Sequence, residues 1–131
     1  MLQLNFSNLK RGKTMTQKTC KERIQQEYQD RLEQIRTEEE PPFLCFGYVE
    51  PNTFEGQKVG YYRYQMGWGG PSDEFRVYDN KKDKIEYWFL DWFDGASIEV
   101  DDIEVVDLVR SYIESDKEKK LNPLNKIFNY T

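Results

Sequence analysis

The chain has 131 residues, no histidine, two cysteines and a net charge of −5, with 33% charged and 15% aromatic residues. One domain is expected at this length, and so many aromatic rings exclude a disordered chain. The lack of histidine removes the usual neutral-pH general base and every Ser-His or Cys-His catalytic pair, while Cys20 and Cys45 are too few and too far apart for a disulfide framework or a metal cluster.

The charge is uneven. Residues 1–36 hold eight Lys/Arg and four Asp/Glu, a balance of +4, and residues 37–131 hold eleven and twenty, a balance of −9. From Glu86 to Asp107 there are eight acids and no base. Phosphates demand cations, so this half is not expected to bind nucleic acid directly; it favours a basic partner. No apolar run is long enough for a membrane span, and the first residues lack the basic-then-apolar layout of a secretory signal. The expectation is a cytoplasmic protein with reduced thiols, no membrane partner and no cofactor.

Residues 1–15 are polar and basic without periodicity. They are expected to form a flexible arm, with a single domain over residues 16–131. Lys10-Arg11-Gly12 stands upstream of Met15 where an AGG-rich ribosome-binding sequence would fall, so Met15 is an alternative natural start. Over residues 16–38, Cys20, Ile24, Tyr28, Leu32 and Ile35 form one narrow helical stripe. Thr19 and Glu22 have capping-box spacing, and Pro41-Pro42 stops the helix. The stripe suits either docking on a sheet or a partner-binding, dimerising helix.

Strands are expected at 43–49, 58–66, 74–78 and 84–93, with a short fifth at 96–100. Tyr, Phe and Trp favour a pleated, half-buried surface, and Gly, Pro, Asn and Asp mark the turns. Asp94-Gly95 is expected to be the last turn. In the second strand Tyr62, Tyr64 and Met66 share one face, opposite Tyr61, Arg63 and Gln65. In the fourth, Ile85, Tyr87, Phe89 and Phe93 oppose Trp88, Leu90 and Trp92. A helix is expected over 103–115, with Asp101-Asp102 at its N-cap and Val105, Leu108, Val109 and Tyr112 as its buried stripe. A solvated charge run at 117–120 follows, and Leu124, Ile127 and Phe128 form a last turn. The predicted fold class is α+β: an N-terminal helix, a four- to five-stranded antiparallel meander and a C-terminal helix.

The stretch Gly67-Trp68-Gly69-Gly70 lacks the Gly-Lys-Ser/Thr end of a phosphate loop, so its glycines point to a tight turn. If the third and fourth strands pair, Asp73, Glu74, Asp91 and Asp94 converge at one sheet edge. Such a set suits Mg²⁺ or Ca²⁺ or a raised-pKa acid, unless Arg63 and Arg76 neutralise it. Trp88 and Trp92, ringed by acids, are candidate anchors for a protein partner. The candidate partner-binding set is therefore Asp73, Glu74, Glu86, Trp88, Asp91, Trp92, Asp94, Glu99, Asp101 and Asp102, with no catalytic or metal residue in the leading reading.

The segments YRYQMGWGGPSDEF (62–75) and IEYWFLDWFDGA (85–96) resemble a group of small uncharacterised bacterial and mobile-element proteins. That resemblance implies no activity and no site residue. In size and acidity alone the chain is similar to small phage proteins that block host defences, such as anti-CRISPR and antirestriction proteins. The leading expectation is a non-enzymatic protein whose acids occupy a basic, nucleic-acid-handling surface of a partner. The alternatives are a toxin-immunity or chaperone-like partner protein, and a small divalent-metal enzyme using Asp73, Glu74, Asp91 and Asp94.

Overall fold

The computed structural model describes residues 18–40 and 43–121. The arm, the alternative start at Met15 and the apolar residues Leu124, Ile127 and Phe128 lie outside them. The chain runs α1 (Cys20–Thr37), β1 (Cys45–Val49), β2 (Tyr61–Gly67), β3 (Ser72–Tyr78), β4 (Ile85–Asp91), β5 (Asp94–Val100) and α2 (Ile103–Leu121). The five strands form one antiparallel sheet in sequence order, so the expected α+β meander between two helices is what forms.

Helix α1 begins as its sequence dictates. The Thr19 hydroxyl accepts the Glu22 N–H at 3.2 Å, and the Glu22 carboxylate accepts the Thr19 N–H at 2.9 Å. This reciprocal cap satisfies two end amides that would otherwise lack partners, and a cap of this kind is worth about 1 kcal/mol. Cys20, Ile24, Tyr28 and Leu32 are buried, and Ile35 packs at the margin. The stripe therefore docks on the sheet, against β4 and β5.

Helix α2 covers the neighbouring part of the same face. Val105, Val109 and Ile113 are buried, and the Tyr112 ring lies 5.1–5.4 Å from those of Phe43, Phe46 and Tyr64. Between the helices and the sheet sit Tyr64, Met66, Phe75, Val77, Ile85, Tyr87 and Phe89. The strand faces follow the two-residue alternation expected of them. Among the described residues no helix covers the other face. The helix also runs on to Leu121, so residues 117–120 are helical rather than a run beyond the helix end.

The last turn falls elsewhere than expected. Asp91 pairs with Asp94, which leaves Trp92 and Phe93 as the turn between β4 and β5, with Trp92 at φ 59°. Both strands accordingly change length, and neither ring joins a sheet face. Gly95 is not a turn residue; it sits in β5 opposite Leu90, where a Cβ would stand 2.7 Å from Leu90 Cδ2. A side chain there would require the Leu90 side chain to shift.

Candidate functional site

The acids gathered in the sequence are separated by the pleat. Asp73, Asp91 and Asp94 share the parity of the core residues and face the helices, whereas Glu74, Glu86 and Glu99 alternate onto the open face. Six of the eight candidate carboxylates hold a cation of the same chain: Asp73–Arg31, Glu74–Arg76, Glu86–Lys81, Asp91–Arg23, Glu99–Lys84 and Asp102–Arg36.

The Asp73 contact is the most enclosed of those to the helices. Asp73 is 4% exposed, and its carboxylate takes Arg31 Nε at 2.6 Å and Nη2 at 2.9 Å and also accepts the Tyr87 hydroxyl at 2.7 Å. Burial, then the Asp73 charge, push the Tyr87 phenol far above its ordinary range. The clasp lies directly against Gly67: a Cβ there would collide with Asp73 Oδ1 and stand 2.7 Å from Arg31 Nη2. Glu74, 3% exposed, holds Arg76 at 2.5 Å. Asp73 and Glu74 are thus withdrawn from the accessible partner-binding set, and Arg76, not Arg63, is the neutralising arginine on their strand.

Asp91 takes Arg23 at 2.7 Å. Asp94 stays exposed, and its Oδ2 accepts the Cys20 N–H at 2.7 Å. That amide is the main reason its carboxyl lies below the usual range. Asp102 immediately precedes α2, but its side chain accepts the Tyr28 hydroxyl and pairs with Arg36 instead of capping the helix. Its backbone carbonyl takes the Val105 and Val106 amides. Asp101 is exposed. Glu74 lies on the opposite face from Asp73, Asp91 and Asp94, so the four do not converge. Among the described residues no group of three or more His, Cys, Asp or Glu is placed to hold a metal ion.

The two tryptophans part company. Trp88 stays on the open face, donating its indole N–H to Glu86 at 2.9 Å and lying 4.1 Å from the Arg76 guanidinium. Trp92 stands at the turn tip, 87% exposed, with Phe93 beside it at 103%. The ends of β2 and β4 and the start of β1 fall at the same edge of the meander. That edge therefore also carries Trp68, 82% exposed, and the exposed Phe43 and Leu44. At about 4.8 Å per strand it is a line of apolar groups roughly 20 Å long. The sequence pattern sets Phe93 on a face of the fourth strand and Trp68 within the glycine turn; the signal for the edge was two ring-bearing segments on alternate strand ends.

The open face holds a cleft of about 820 Å³, walled by residues 54–59 and by Trp68 and Gly69, and floored by β2, β3 and β4. Arg76 is fixed at its centre between the Tyr61 and Trp88 rings, 4.6 and 4.1 Å away. The chain has an edge of exposed rings, a cleft of rings and arginine, and carboxylates mostly engaged within the molecule. That combination matches the composition of protein interfaces, where Trp, Tyr and Arg are enriched and Asp and Glu depleted. Comparison with protein-family models, curated proteins and solved structures finds no significant match. No helix among the described residues is long and apolar enough to cross a membrane.

Proposed function

We propose that this chain is a non-enzymatic binding protein that docks on another protein through the edge bearing Trp68, Trp92 and Phe93. The observation that carries this reading is the Trp92–Phe93 turn. A bulky residue in the left-handed region costs free energy that Asn or Gly would largely avoid. At 87% exposure the fold gets no burial in return. Strain kept where the fold gains nothing from it points to a use outside the fold. Asp91 beside the tip is already held by Arg23, but the exposed Asp94 carries no ion pair among the described residues; such a carboxylate opposes insertion into an anionic bilayer or stacking along a phosphate chain, and suits a protein pocket with a cationic rim.

From the acid-led expectation this proposal keeps only acids that the fold leaves without an ion pair. The exposed Asp101, Asp107, Glu114 and Glu118 form no ion pair among the described residues, and the net charge of −5 steers the chain toward a basic partner. A nucleic-acid-handling surface is the target class, as in the anti-defence proteins of similar size and acidity, and a reducing cytoplasm suits the two free thiols. The test is capture from host lysate by wild type and by the Trp92→Ala/Phe93→Ala variant, followed by affinity measurement with the recovered protein. At least a 30-fold loss, about 2 kcal/mol, is expected for the double variant. Neutralising Asp107 and Glu114 is expected to slow association and flatten its salt dependence. Unchanged affinity in the aromatic variant defeats the proposal. One cognate partner with no nucleic-acid function would instead indicate an immunity or chaperone-like protein.

A further inference from the structure

The cleft on the open face shares Trp68 with the docking edge, but its floor is a different set of residues. That floor brings two guanidinium groups together, because Arg63 on β2 is the register partner of Arg76 on β3. Arg76 is fully engaged: Glu74 lies at 2.5 Å, the Tyr78 hydroxyl at 2.8 Å, and a ring stands on either side. Arg63 makes no ion pair and no side-chain hydrogen bond among the described residues, and its neighbour on β1 is Gly47, which offers no side chain. Like charges directly opposite on a sheet repel, and a half-buried cation lacking an anion is unfavourable. Around this unmatched charge stand the rings of Tyr61, Trp68, Tyr78 and Trp88.

We propose that the cleft binds a flat aromatic molecule carrying a carboxylate or phosphate, its anion on Arg63 and its ring among the tryptophans. Planar Arg–anion pairing supplies orientation as well as strength, and ring stacking tolerates many ring types. The volume falls within the range of small-molecule sites, about 300–1,000 Å³.

The experiment is titration of the full chain, followed by calorimetry and tryptophan fluorescence, with four probes: adenosine 5′-monophosphate, benzoate, adenosine and inorganic phosphate. At least one ring-bearing anion is expected to saturate the site with Kd below about 1 mM. Adenosine and phosphate are expected to bind at least about 10-fold more weakly than the successful ring-bearing anion. Success of the monophosphate alone assigns a phosphate ligand; success of benzoate alone assigns a carboxylate. Arg63→Gln is expected to weaken that probe by about 10- to 100-fold. Without ligand, the same variant is expected to melt about 1–5 °C higher, because the repulsion with Arg76 is gone. Absence of saturable binding by both ring-bearing anions, phosphate binding as tightly as they do, wild-type affinity in Arg63→Gln, or a lowered melting temperature in that variant would each overturn the proposal.

Discussion

Replacing Asp73 by Asn keeps the shape of the side chain and removes the charge that Arg31 grips through two nitrogens. The Asp73 side chain is 6% exposed, and the Arg31 side chain is 23% exposed. Breaking a fully buried pair costs about 3–5 kcal/mol. Arg31 retains some water, which offsets part of its loss, so about 2–4 kcal/mol is expected for Asp73→Asn. Urea unfolding followed by tryptophan fluorescence measures this as a lower midpoint at constant slope. A cycle with Arg31→Met isolates the pair and is expected to give a coupling of at least about 1 kcal/mol. A loss within about 0.5 kcal/mol of zero, typical of an ordinary surface position, would mean that Asp73 is a solvated carboxylate after all and that the clasp between α1 and the sheet is wrong.

Gly67→Ala drives a methyl into the same clasp, and the unfolding free energy from urea melts is expected to fall by about 1–3 kcal/mol. Trp92→Asn suits the left-handed backbone better and is expected to raise stability by about 0.5–1 kcal/mol while abolishing partner docking; a destabilised variant would show that the ring is held by the fold. Alkaline unfolding reports the tyrosines. Burial and Asp73 raise the Tyr87 pKa, burial and Asp102 raise that of Tyr28, and burial brings Tyr64 up to about 12. A folded pKa above the unfolded one gives stability that is complete below about pH 10 and declines as pH rises. Tyr87 alone accounts for about 1.4 kcal/mol per pH unit above 10. Urea melts at pH 8, 10 and 11 check this, and stability unchanged from pH 8 to 11 contradicts the buried Tyr87–Asp73 contact.

The strands, their faces and the α1 stripe were legible because each rests on local periodicity. Thr19 and Glu22 announced the helix start for the same reason. The clasps were not legible, because Arg31–Asp73 spans 42 residues and Arg23–Asp91 spans 68. One signal did exist: Arg23, Glu27 and Arg31 recur one position before Ile24, Tyr28 and Leu32, which sets the two arginines beside the buried stripe and over the sheet. Asp94-Gly95 misled because the pair favours turns, whereas here each residue has another task. Asp94 accepts a helix amide, and Gly95 makes room for Leu90. The edge of rings followed from that misplacement, since moving the turn back by two residues turns Trp92 and Phe93 outward.

Asp94 pairs with Asp91 to close the ring-bearing turn, and its carboxylate accepts the first amide of α1. The tip is thereby leashed to the helix start. Restraint of Trp92 is therefore expected to be felt at the helix start, and fraying of the first helical turn is expected to loosen the tip. The proposed grip on Trp92 is expected in turn to damp helix opening from a distance, measurable as slowed amide exchange at Ile24 and its neighbours.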